Sequence, residues 1–130
     1  IKNAIIVGGE LAVTTDVERQ LASAGVKLAK RLGGDNGVQT SALIARYGID
    51  ALGMSANNMG VATSQNFPDA LAGAAFCGKN KAVLVLADDK APANASFPKA
   101  YKDTIAHGYV FGGKLAVGAK TFNALEASTK

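Results

Sequence analysis

Tryptophan is absent from this chain of 130 residues, histidine and cysteine occur once each, and proline only 3 times. The single cysteine, Cys77, excludes an internal disulfide framework and a cysteine-rich metal site, and leaves the redox compartment open. Aromatic residues make up 6% of the chain, so its core must be built from small side chains, with helices lying close on a sheet. Long apolar runs are missing too. The longest spans Ala82 to Ala87, against the roughly 20 residues a membrane-spanning helix needs, so no membrane span is expected. Nothing reads as a signal peptide, and the chain opens directly on a strand-like run, as a fragment of a longer protein would. Charge is sparse at 18%, with 14 basic against 10 acidic residues and a net charge of +4. The basic residues are dispersed and form no arm, so no nucleic-acid partner is expected.

What is present is 48% apolar residues in a length that suits one domain with a real core. The same phrase is also written twice. Val7-Gly8-Gly9-Glu10-Leu11-Ala12-Val13 returns as Phe111-Gly112-Gly113-Lys114-Leu115-Ala116-Val117, with Gly8 and Gly112 standing 104 residues apart. Leu21 and Leu125 extend the match. A period of that size is a whole-domain repeat, not a solenoid unit. Residues 1–130 therefore read as a single module in which 1–24 resembles the end of a preceding repeat and matches 105–128.

Strand and helix signals alternate. Ala4 to Val7, Val26 to Leu32, Gly60 to Thr63, Val83 to Leu86 and Tyr109 to Phe111 read as strands. Helices are expected from a Thr14 or Thr15 cap to Gly25, from Val38 to Arg46 with Gly48 ending it, from Phe67 to Cys77, from Phe97 to Ile105, and from Gly118 to Ala127. Glu18 stands near the N3 position of a Thr15 cap. Asp50 to Asn58 carries no regular signal, and Asp88 to Asn94 reads as a loop. Five strands alternating with helices give an α/β fold, a parallel sheet covered on both faces. Ligands of such sheets usually sit beyond the carboxyl ends of the strands.

Candidate sites follow from that edge. The Gly-Gly turns after two strands have the topology of a phosphate cradle, but their spacing fits neither the dinucleotide fingerprint nor a Walker A loop, and tight backbone turning is the favoured reading. Ser64 begins a strand-to-helix turn, yet the one histidine, His107, precedes a strand and belongs at the opposite, amino end of the sheet, which argues against a hydrolytic dyad. Asn66 or Asp69 suits a helix cap or a polar binding rim. Asp88, Asp89 and Asp35 are too few carboxylates for a convincing cation cage. Cys77 lies beside Gly73 and Ala74 and reads as a buried thiol. The most suggestive charges are Lys27, Lys30 and Arg31, which run into the Gly33–Gly37 turn cluster; an arginine there can clamp a phosphate or carboxylate, or merely line a solvated edge.

The 104-residue repeat, the string Asn66-Phe67-Pro68-Asp69-Ala70-Leu71-Ala72 and the Gly-Gly-x-x-Ala-Val endings together resemble the cell-wall-binding repeat type 2 family of Gram-positive surface proteins, over nearly the whole chain. Arg31-Leu32-Gly33-Gly34-Asp35-Asn36 and Thr40 fit a second family stretch, while Gly37-Val38 stands where the family usually has Arg-Tyr. The resemblance implies a Rossmann-like three-layer module that packs in pseudo-trimers, acts outside the cell at the cell wall, and needs no catalytic residue, metal or cofactor. Its implied partners are an anionic secondary cell-wall polymer and neighbouring modules, in a homo-oligomer or trimer for an isolated copy. Arg31 is the expected main contact for an anionic group, Lys30 supports it, and Thr40, Asn66 and Asp69 supply polar contacts. The alternative is a structural or oligomerisation module without glycan affinity of its own.

Overall fold

A computed structural model describes residues 1–87, 89 and 96–130. The apolar run near the start forms strand β1 (Asn3–Val7), and the glycine after it turns the chain with φ +126°, a value that side-chain-bearing residues seldom adopt. Helix α1 (Thr15–Ser23) follows, with Thr14 as its N-cap but no side-chain cap bond; Glu18 is used elsewhere. Strand β2 (Lys27–Leu32) pairs with β1 in parallel, matching Ile6 to Arg31 and Val7 to Leu32.

Helix α2 (Gly37–Leu52) runs past the expected stop at Gly48. A helix interior tolerates glycine when a neighbour needs the space, and here a Cβ on Gly48 would come within 2.7 Å of the Met54 sulfur. The stop is Gly53 instead, in the left-handed conformation at φ 70°. Strand β3 (Ser55–Thr63) begins at once, so the stretch from Asp50 to Asn58 is the end of a helix and the start of a strand. Asn57 and Asn58 lie in that strand, at a register irregularity opposite β4, and Asn58 pairs with His107 of β5.

Helix α3 (Pro68–Lys79) carries Pro68 in its first turn as expected. Strand β4 (Ala82–Ala87) is followed by residues outside those described, which include most of the expected Asp88–Asn94 loop. Helix α4 (Ser96–Lys99) is a single turn rather than a helix to Ile105; Tyr101–Thr104 continue as turns. Strand β5 (His107–Phe111) and helix α5 (Ala119–Thr129) complete the described elements.

The architecture is α/β with every described strand pairing parallel, but the five strands divide into two sheets, β1-β2 and β4-β3-β5. Strand order β4-β3-β5 means that the chain crosses from β4 over β3 to reach β5. The main core gathers Met59, Val61, Val83, Val85, Ala87, Phe97 and Leu125 with Ala45 of α2. Helix α2 also packs along the outer side of β4, where the Ser41 hydroxyl accepts a hydrogen bond from the Leu86 N–H at 2.9 Å. That edge of the sheet is thereby covered, which prevents stray strand pairing.

Candidate functional site

The carboxyl ends of the strands carry the polar features, and the structure sorts them into two groups, one at each Gly-Gly turn. At the first turn, Arg31 reaches off the end of β2. Its Nη1 donates to the carbonyls of Gly8 and Val13, each at 2.9 Å, and its Nε donates to Glu18 Oε1 at 2.8 Å. Nη2 lies 2.7 Å from the same carboxylate oxygen, an ion-pair distance without hydrogen-bond alignment, so its own hydrogens have no well-directed acceptor. The guanidinium is largely buried, with 18% of the side chain exposed. It fastens β2 to the turn and to α1. Lys30, one residue earlier, points to the opposite side of the strand and is exposed.

The Gly33-Gly34 turn stacks directly on this first turn. A Cβ on Gly33 would come within 2.5 Å of the Gly9 nitrogen, so the close approach requires glycine. Thr40 Oγ1 accepts from the Gly34 N–H at 3.0 Å, fixing the turn to α2. Asn36 and Gln39 form a reciprocal clasp: Gln39 N–H donates to Asn36 Oδ1 at 2.9 Å, and Asp35 N–H donates to Gln39 Oε1 at 3.0 Å. Sequence reading passed over this pair, although Asn-x-x-Gln before an apolar run is its signature. It passed over Glu18 as the partner of Arg31 as well, and no local signal reveals a contact 13 residues apart in sequence. Val38 is buried, whereas Gly37 has open space around its Cβ position. The departure at Gly37 thus removes an exposed side chain and leaves the helix start intact.

At the second turn stands Asp69, and Asn66 lies just before the helix that carries it. Asn66 is exposed, and Asp69 is half-buried in the first turn of α3, where a carboxylate suits the positive helix end. The Asp69 carboxylate lies against Gly112, since a Cβ there would meet Oδ2 at 2.7 Å. Gly112 has φ +117°, nearly repeating Gly8. Asp89, considered above as a cation ligand, serves the next helix: its Oδ1 accepts from the Thr121 N–H at 2.9 Å and from the Thr121 hydroxyl at 2.5 Å. Among the described residues, no group of three or more His, Cys, Asp or Glu side chains could hold a metal. His107 opens β5 at its amino end, away from Ser64. Cys77 is buried against Gly60, and burial pushes its thiol pKa up. No described helix is long and apolar enough to cross a membrane.

Comparison with known proteins fits this arrangement. The chain overlays Cwp6 from Clostridium difficile with a TM-score of 0.80 and 22% identity, over 97% of this chain and 20% of that one. Cwp8 from Clostridium difficile gives a TM-score of 0.74 and 21% identity, over 98% of this chain and 20% of that one. The chain therefore spans about a fifth of the length of these solved structures. No curated protein sequence matches it. The family model for cell wall binding domain 2, a binding rather than a catalytic domain, matches residues 31–122, from Arg31 near the end of β2 to the first turn of α5. That match covers most of the chain, which accordingly belongs to the cell wall binding domain 2 (CWB2) family.

Proposed function

We propose that this chain is a non-catalytic module that helps anchor a bacterial surface protein to an anionic secondary cell-wall polymer. Its membership of a cell-wall-binding family carries the reading, and a net charge of +4 suits an anionic partner. In this reading Lys30 meets the anionic group directly, because it is exposed near the carboxyl end of β2. Arg31 acts with it by holding that turn on α1, and it contacts the polymer itself only where an anion displaces Glu18. Thr40 keeps the Gly33–Asn36 turn in shape, Asp69 rims the second turn, and Asn66 offers an exposed polar group before α3. An exposed ion pair contributes only about 0.2–1 kcal/mol, so useful attachment comes from several linked modules acting together. The test is co-sedimentation of the purified chain with isolated anionic wall polymer at low and high salt. Retention at low salt, release at high salt and weaker retention by Lys30→Ala are expected. A chain that ignores the polymer at low salt, or binds it equally at both, overturns electrostatic anchoring.

A second reading, a structural or oligomerisation module, is favoured by one observation. Leu11 and Leu115 occupy the same position in the two repeat copies, and both are fully exposed. This reading expects dimers or trimers in analytical ultracentrifugation and no polymer retention.

A further inference from the structure

Of the chain's asparagines, Asn36 alone is followed by glycine. A side-chain amide in that position is open to attack by the glycine's backbone nitrogen, because no side chain on the second residue blocks the approach. The local structure favours the attack. Asn36 is exposed, and a Cβ on Gly37 would meet nothing within 4 Å. Asn36 is the N-cap of α2 with extended backbone, so Gly37 is the first helical residue and its N–H has no intrahelical acceptor. Among the described residues no other acceptor meets that N–H. The Asn36 side chain is already turned to the helix start, where its Oδ1 accepts from the Gln39 N–H at 2.9 Å. Two negative charges develop in such a reaction, one on the Gly37 nitrogen as its proton leaves and one on Asn36 Oδ1 as the amide carbon is attacked. Both fall at the positive end of a helix of 16 residues, and the Gln39 N–H is aimed at the second. Other asparagines are placed differently: Asn57 and Asn58 lie in β3, Asn123 lies in α5, and Asn80 donates its amide to the Phe76 carbonyl at 2.8 Å.

We propose that Asn36 is a self-modification site, an amide that the folded module converts to a carboxylate without an enzyme. The Gly37 nitrogen loses its proton to water and bonds to the Asn36 side-chain carbon. The bond from that carbon to the amide nitrogen breaks, and the nitrogen leaves as ammonia with the proton returned by water. A five-membered imide now joins residues 36 and 37. Water then opens it at either carbonyl, giving aspartate or, where the main chain is left running through the side-chain carbon, isoaspartate. No oxidant or reductant enters. Each product removes one unit from the net charge of +4. Aspartate keeps the cap, because its carboxylate still accepts from the Gln39 N–H. Isoaspartate lengthens the main chain by one carbon and dismantles the Asn36–Gln39 clasp, which loosens the turn that Thr40 fastens to α2. One consequence rests on the anchoring function proposed above: either product places a negative charge in the turn after Lys30 and Arg31 and weakens the hold on an anionic polymer as the module ages.

The test incubates the full chain in warm buffer at neutral and mildly alkaline pH and maps its peptides by mass spectrometry. Asn36 should convert ahead of every other asparagine and faster at the higher pH, with isoaspartate found in the same peptide by isoaspartate-specific methyl labelling. Gly37→Ala, which has room for its methyl group, should slow conversion at least about tenfold. A free peptide of residues 30–42 is the reference, and the folded chain should match or exceed its rate. The aged chain should also exchange amide hydrogens faster from Gly34 to Thr40. An Asn36 that persists in the folded chain while the peptide converts, an earlier conversion at another asparagine, or an unchanged rate in Gly37→Ala each overturns the proposal. For the consequence, Asn36→Asp should keep its melting temperature and leave the anionic polymer at lower salt than the unaltered chain. Equal release overturns the effect on anchoring, whereas an unaltered chain that binds no polymer at all overturns the anchoring function and leaves the modification to be decided by the mass measurement.

Discussion

The two copies of the repeated strand–turn–helix, Asn3–Ser23 and His107–Thr129, are satisfied in complementary ways. The first has a partner strand at one edge, with Ile6 buried and an arginine over its turn, but Ile5 and Val7 on its other face are exposed and α1 buries none of its residues. The second has the opposite neighbours. Tyr109 and Phe111 meet Phe76 of α3 with ring centroids 4.8 and 5.8 Å apart, Leu125 and Thr121 of α5 are buried, and Asp89 supports the helix start; among the described residues no strand pairs with its outer edge. The same local sequence thus yields the same strand and helix but different burial. Local pattern decides the element, and tertiary neighbours decide how much stability it gains.

Phe111 and Val7 hold the same repeat position and give the largest contrast. Phe111→Ala should cost about 3 kcal/mol, since its ring lies under Gly73 and beside Gly60 and Phe76, whereas Val7→Ala should cost under about 1 kcal/mol. Urea denaturation of both variants measures the difference, and equal costs would break the comparison. Arg31→Ala comes next. Loss of its charged hydrogen bonds should cost about 2 kcal/mol, confined to the first copy. Amide exchange should rise across β1, α1 and β2 while β3 and β4 keep their protection; acceleration spread evenly over both sheets would contradict two separately held halves.

The helix starts give a smaller contrast. Asp89→Asn should lower stability by about 1 kcal/mol through α5. Thr14→Ala, at a cap with no side-chain bond, should change stability by less than about 0.5 kcal/mol. Thermal melts of the pair decide it. The smallest effect concerns pH. Cys77 belongs to the second half, and burial raises its pKa, so folding favours the neutral thiol. That contribution is fully present below the ordinary thiol pKa and disappears as pH rises through the raised value. Alkylation of Cys77 should therefore stay slow at mildly alkaline pH, and should remain slow in Arg31→Ala, where only the first half loosens.

Most of the fold was legible in the sequence. A strand signal fell within each of the five strands, although β3 begins five residues before the run that marked it; Pro68 marked α3, and the α/β class followed from the alternation. What escaped depended on distant partners. Gly48 looks like a helix stop until Met54 is seen filling the space beside it. The division into two sheets is invisible because strand neighbours are not sequence neighbours. The candidate site was half legible: the glycine turns and Arg31 stood out, but the commitment of the guanidinium to Glu18 and two carbonyls did not. Phe67 and Leu71, the apolar residues of the most specific motif, are exposed rather than core, so their place in that motif is not explained by packing within this chain.

Helix α2 packs against strands of both sheets, carrying the chain from β2 in one to β3 in the other. A genetic breakpoint inside that helix would transfer whole ladders between proteins, because no strand pair is cut there. A breakpoint after the first Gly-Gly turn would instead part β1 from β2, its partner in the ladder. Recombination that adds or drops modules should be tolerated best where the chain changes sheets, and the natural unit of exchange then begins in the middle of a helix.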